Sequence, residues 1–249
     1  MKKLITIILL LFISFSYGQK RELRNANKFY DSGEFSSALD LLESSKVLFD
    51  SSDDKVKSQQ MLLYGKIHTS MQDFSLAMEA FNISKDLGIS SDQLGPELMR
   101  LENSIITNAI ADQESGNSLD AAIKLKMAYD LNPEVNQDYL YFAAGNAVYS
   151  INYSLALEYY LLLRDINYDG VTTKFYITEV ESGNEIEISS VDEFNLLQKS
   201  KDYDNPREEL TESRLPEIVK NIALIYKELG DNDKACLLYT SDAADEHSW

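Results

Sequence analysis

One short pattern recurs along this chain and limits its fold more than any other feature. Gly33-Glu34-Phe35-Ser36-Ser37-Ala38-Leu39 returns as Gln72-Asp73-Phe74-Ser75-Leu76-Ala77-Met78, then as Gly116-Asn117-Ser118-Leu119-Asp120-Ala121-Ala122. It returns again as Ile151-Asn152-Tyr153-Ser154-Leu155-Ala156-Leu157, and in shortened form as Gly230-Asp231-Asn232-Asp233-Lys234-Ala235. Each copy joins a turn to a bulky residue and then a small one, at the head of an apolar stripe with helical spacing. That is the joint of a helix–turn–helix unit. A single pair of such helices cannot bury its apolar faces, and stacking neighbours supplies the continuous core. The expected architecture is an all-α helix–turn–helix solenoid.

Taking the small residue of each copy as marker, Ala38, Ala77, Ala121, Ala156 and Ala235 stand 39, 44, 35 and 79 residues apart. The chain resembles the tetratricopeptide-repeat family, whose period is 34 residues. The pattern of small and apolar positions is met by Ala26, Phe29, Phe35, Ala38 and Leu42 in a first repeat from Gln19. Met61, Tyr64, Gly65, Phe74, Ala77 and Phe81 meet it in the second, with His68 at an apolar position. The third has Ala109, Gly116, Ala121, Leu125, Ala128 and a terminating Pro133, but Asn108 and Asp112 depart from the pattern. Leu140, Ala143, Ala144, Ala147, Tyr153, Ala156, Tyr160 and Leu163 carry the fourth; Val219, Ile222, Ala223, Tyr226, Gly230 and Ala235 carry the fifth. The extra residues of the first three intervals are expected in the turns between repeats. The resemblance implies repeats 1 to 4 over residues 19–168, an insertion over 169–215, and a fifth repeat over 216–235 cut short.

Within the insertion, Thr173 to Val180 is β-rich, Ser182-Gly183-Asn184 signals a turn and Glu185 to Ile188 alternates, which together predict a β-hairpin. Val191 to Lys199 reads as a short helix, and Lys201 to Ser213 as a charged connection. An unpaired strand edge there is able to accept a partner strand, although a lid packed on the solenoid flank is the favoured reading.

The two ends read as processing and artefact. Lys2 and Lys3, the apolar run from Leu4 to Phe15, and small residues before Gln19 form the pattern of a cleaved secretory signal over residues 1–18. The expected location is therefore the periplasm or cell envelope, or outside the cell. At the other end, Cys236 to Glu246 resembles one translated frame of a transposon-type sequencing-library adapter, so residues 236–249 are expected to lie outside the natural chain. The only Cys and only Trp fall there, which leaves the natural portion without thiols for a disulfide or metal site.

A net charge of −18 argues against nucleic acid and against an anionic membrane surface, both of which reward clustered Lys and Arg. It favours a basic partner. No segment after the signal is long and apolar enough to span a bilayer. His68 is read as a structural core histidine, and Asp50-Ser51-Ser52-Asp53-Asp54 as a solvated turn, because its spacing is not that of a calcium loop. No catalytic residue, metal or cofactor is expected.

Ligands of the resembled family sit on the first-helix face. That register places Asn27, Tyr30, Leu62, Lys66, Thr69, Ile106, Ile110, Tyr141, Gly145, Val148 and Tyr149 there. A carboxylate clamp of the kind that binds chaperone tails is disfavoured, because Leu23 stands where the cation is needed although Asn27 matches. The resemblance implies an exported, non-enzymatic scaffold for protein or peptide interaction. The alternatives left open are the extracytoplasmic sensor region of a truncated signalling protein, such as a repeat-containing histidine kinase, and an enzyme whose catalytic domain would lie beyond Ala235.

Overall fold

A computed structural model describes residues 18–245, with side chains as far as residue 238. The segment expected to be a signal, except Gly18, and residues 246–249 of the adapter-like tail lie outside the described residues. The described chain is mostly helical, with one small antiparallel sheet. It divides into two compact units, Met1–Asn132 and Pro133–Trp249.

The first unit holds a helix over 18–31 (α1) and then α2 (Phe35–Ser44), α3 (Lys46–Asp50), α4 (Asp54–Met71), α5 (Phe74–Asp86), α6 (Ser91–Glu114) and α7 (Ser118–Leu131). The second holds α8 (Gln137–Tyr149), α9 (Tyr153–Asp165), β1 (Thr173–Glu179), β2 (Glu185–Ile188), α10 (Val191–Leu197), β3 (Tyr203–Leu210), α11 (Leu215–Glu228) and α12 (Asn232–Asp245). None of the helices among the described residues is long and apolar enough to cross a membrane.

The recurring heptad is one backbone device repeated. Its first residue is left-handed in every copy, with φ of +78° at Gly33, +65° at Gln72, +80° at Gly116, +60° at Ile151 and +82° at Gly230. The next N–H then reaches five residues back, as from Glu34 to the Phe29 carbonyl, Asp73 to His68, Asn117 to Asp112, Asn152 to Ala147 and Asp231 to Tyr226. These bonds close the first helix of each pair by the left-handed cap that satisfies orphan carbonyls. The marker alanine opens the second helix, its N–H donating to Glu34, Asp73, Asn117, Asn152 or Asp231. All of these alanines are buried. Small size matters at such crossings: a Cβ on Gly65 would lie 2.3 Å from the Phe81 ring.

The extra residues of the first two intervals do not sit in turns as expected. In the first interval the second helix stops at Ser44 and a one-turn helix, α3, follows, with Phe49 buried beneath it. In the second interval the residues lengthen α6 at its start, making the third pair's first helix 24 residues long. The departures in that helix are satisfied locally. Asn108 donates to the Ser104 carbonyl at 2.9 Å, and Asp112 pairs with Lys124 of α7.

In the second unit α8 pairs with α9, and α11 packs on both α9 and α12. Ile218 and Ile222 are fully buried, and Pro216 stands in the first turn of α11, where a missing N–H costs nothing. The hairpin between them is extended by a third strand, in the order β2-β1-β3. Residues 201–213 are therefore not the simple charged connection the sequence suggested. Asp204-Asn205-Pro206 looks like a loop, but Asn205 at φ +47° and a register shift between Tyr176 and Thr178 absorb the irregularity. Arg207 then stacks 4.3 Å over the Tyr176 ring and forks onto Glu185 at 3.0 and 3.1 Å. Ile177, Ile188 and Phe194 form the buried centre of this module, with Phe175, Leu197 and Tyr203 around it. Its neck closes through Thr211 N–H to the Thr172 carbonyl at 2.9 Å and Arg214 N–H to the Asp169 carbonyl at 2.6 Å.

The adapter-like segment does not interrupt α12, which continues through it to Asp245. Cys236 and Leu237 are exposed on that helix.

Candidate functional site

In the first unit, three helices converge on a polar cavity of about 270 Å³. α1 contributes Asn27, α4 contributes Gln59, Leu62 and Lys66, and the early turns of α6 contribute Gln93 and Glu97. The Lys66 ammonium lies 4.6 Å from the Tyr30 ring centroid and 3.9 Å from Glu97 Oε1. Arg100 donates to the Tyr30 hydroxyl at 3.3 Å, while its Nε lies 3.6 Å from Glu97 Oε2. Gln59 donates to Gln93 Oε1 at 3.1 Å. Asn27 spends one amide hydrogen on the Leu23 carbonyl at 2.8 Å, which leaves its oxygen as an acceptor.

The lengthened start of α6 supplies one wall of this cavity, and local propensity opposes it. Pro96 falls inside the helix directly after Gly95. A mid-helix Pro costs about 3 kcal/mol and a Gly about 1 kcal/mol relative to Ala. Burial of Leu94 and Leu101 holds the segment in place. Local preference that loses to the fold is a mark of functional or strained sites.

The register thus places Asn27, Tyr30, Leu62 and Lys66 together. Ile106 is half-buried and Ile110 exposed further along α6, and neither lines the cavity. Thr69 is buried, with its hydroxyl donating to the Gly65 carbonyl at 2.7 Å. Gln93, Glu97 and Arg100 were not anticipated, because the start of α6 was expected to be a turn, and Gln59 of α4 was not singled out on its helix. The signal was Ser90, the N-cap of α6, followed three residues later by Gln93, the spacing of a capping box.

No family model matches the chain, and no curated protein does. The residues themselves therefore carry the functional argument.

In the second unit the corresponding face is occupied by the chain itself. Tyr141 donates to Glu217 Oε2 at 2.7 Å, lies 6.0 Å from the Tyr168 ring, and carries the Arg214 guanidinium 4.4 Å over its own ring. Arg214 also donates to the Tyr168 hydroxyl at 3.4 Å, and that hydroxyl donates to Asp138. Burial, reinforced by the hydrogen bond and charge of Glu217, pushes the Tyr141 phenol up to about 12, with Arg214 opposing. Burial likewise raises Tyr160 to about 12 although Asn221 donates to it at 3.0 Å, and burial and Asp138 raise Tyr168. Gly145 has open space where a Cβ would sit, Val148 is half-buried, and Tyr149 is 82% exposed.

Other candidates resolve into structure. His68 is buried, stacks on Tyr64 with ring centroids 6.2 Å apart, and lies 3.4 Å from Asp73 Oδ2. Asp53 caps α4 by accepting the Val56 N–H at 2.8 Å, and Asp50 pairs with Lys46 at 3.0 Å. Among the described residues no group of three or more His, Cys, Asp or Glu is placed to hold a metal ion. The sheet edges are poor docking strands: β2 has four residues, and β3 carries Pro206 with a run of charges, features that block edge pairing. A cavity of about 300 Å³ near Phe74, Ile123 and Met127 is walled by Lys124, which is already paired with Asp112.

Proposed function

We propose that this chain is an exported interaction module of the tetratricopeptide type, not an enzyme, and that its first unit takes a protein or peptide segment on the α1, α4 and α6 face. The observation that carries the reading is the polar cavity at Asn27, Leu62 and Lys66, on the face the repeat register assigns to partners. The five joints with one hydrogen-bond pattern support a repeat architecture, and repeat architectures present extended surfaces. The basic and apolar head ending before Gln19 supports export to the envelope.

The test is quantitative co-precipitation from envelope extracts, comparing the parent chain with an Asn27→Ala/Lys66→Ala double variant. A partner recovered with the parent and depleted at least tenfold with the variant, at unchanged helical circular dichroism, is the expected result. Equal recovery by both chains would place partner binding elsewhere and contradict the reading. Mass spectrometry of the mature protein should give an N-terminus at Gln19; an intact Met1 would remove the export part.

A further inference from the structure

We infer that the cavity between α1, α4 and α6 receives an uncharged side-chain carboxamide, that is, an Asn or Gln of the partner segment. This rests on the proposed function and specifies what its partner must present. The first argument is size. About 270 Å³ falls below the roughly 300–1,000 Å³ of small-molecule pockets and suits one side chain.

The second argument is hydrogen-bond capacity. Glu97 Oε2 is buried and accepts no hydrogen bond from the protein, although Arg100 Nε lies 3.6 Å from it as an ion-pair partner. Lys66 lies 3.9 Å from the same carboxylate, beyond hydrogen-bond reach, so its N–H groups are not spent there. A buried polar atom without a partner is costly, and native interiors rarely keep one without a reason. An unmet acceptor beside unspent donors calls for a ligand group that both donates and accepts. A primary carboxamide does this with its NH₂ and its carbonyl oxygen.

The third argument is charge. Lys66 and Arg100 flank the single carboxylate of Glu97, so the cluster carries one net positive charge. A Lys or Arg side chain would enter as a third cation, and an Asp or Glu would face Glu97 directly. A neutral carboxamide meets neither repulsion. The chain's overall charge of −18 acts over distances where salt screens it, beyond about 8 Å at physiological ionic strength. It steers encounter without setting what the cavity accepts. Depth favours a side chain over a passing main chain, because the Lys66 and Glu97 side chains are only 21% and 14% exposed.

The test uses the whole chain, labelled with nitrogen-15, and four capped residues as probes: the N-acetyl N-methylamides of glutamine, glutamate, lysine and alanine. Glutamine should shift the amides of residues 59–66 and 93–100 and bind about tenfold or more tighter than the other three, the scale of losing one hydrogen bond to a charged group. Glu97→Gln should abolish that preference, and Lys66→Met should do the same if the first variant does not fold. Equal binding of lysine or glutamate would overturn the inference in favour of a simple ion site. Equal binding of alanine would assign the site to main chain, and no shift with any probe would also overturn it. If co-precipitation depends on Asn27 and Lys66 while capped glutamine fails, the proposed function stands and this inference alone falls.

Discussion

The same helix face is left open in one half of the molecule and filled in the other. In Met1–Asn132 the face of α1, α4 and α6 ends in a polar cavity whose carboxylate lacks a hydrogen bond. In Pro133–Trp249 the equivalent position, Tyr141, is bonded to Glu217, stacked by Arg214 and set against Tyr168. The difference has a physical origin. Arg214 closes the neck of the inserted β module and Tyr168 ends the turn after α9 immediately before it, so the chain flanking the insertion supplies a cation and an aromatic ring to this face. The two faces differ in whether a carboxylate oxygen is met within the chain: the buried Glu97 Oε2 accepts no hydrogen bond, whereas Glu217 Oε2 accepts from Tyr141.

The largest expected effect is on the filled face. Arg214→Ala removes two ring contacts and the bond to Tyr168, and should cost about 2 kcal/mol in urea unfolding. Arg100→Ala on the open face, where the side chain is 59% exposed, should stay within about 0.5 kcal/mol. Equal losses from the two would remove the distinction between filled and open.

Next in size is the turn that precedes α9. Ile151 is β-branched, 73% exposed and left-handed, a conformation that costs roughly 1–2 kcal/mol for an L-residue. Ile151→Gly should raise stability by about 1 kcal/mol, after the entropy lost by glycine. A destabilised variant would mean that Ile151 makes contacts that outweigh its backbone strain.

Gly145→Ala follows, because a Cβ there meets open space and alanine is the better helix former. A gain of roughly 0.5–1 kcal/mol is expected, with partner capture unchanged if the second unit's face is closed to partners. Loss of capture would show that a backbone does approach Gly145.

The smallest effect concerns alkaline pH. Tyr141 and Tyr160 are raised from 10.0 to about 12 in the folded chain. The folded state therefore binds more protons than the unfolded state between these values. Their contribution is complete below pH 10 and falls away as pH rises towards 12, softened by partial exposure. A Tyr141→Phe/Tyr160→Phe chain should lose less stability across that window, read by unfolding at a series of pH values. An unchanged slope would mean that neither phenol is protected.

What was legible in the sequence was local. A left-handed turn residue, an N-capping position and an alanine three or four residues on are all written within seven positions, so the five joints were visible before any coordinates. The α6 extension was not, because Gly95-Pro96 carries a breaker signal that burial of Leu94 and Leu101 overrides. β3 was hidden for a similar reason, since Asn205-Pro206 reads as a loop until β1 offers an unpaired edge. The network around Tyr141 was the least legible: Glu217 is 76 positions away in sequence, and no periodicity reports such a pairing. Lys66 was singled out from the register and lines the cavity, yet Glu97, which lines it too, was missed with its helix.

On the proposed reading the open face, and not the filled one, meets the partner. The direct measurement is photocrosslinking in intact cells, with the same photoreactive amino acid introduced at Gln59 in one chain and at Tyr141 in another. A discrete adduct from position 59, lost when Lys66→Ala is added, with none from position 141, is the predicted result. An adduct from position 141 with none from position 59 would contradict the account.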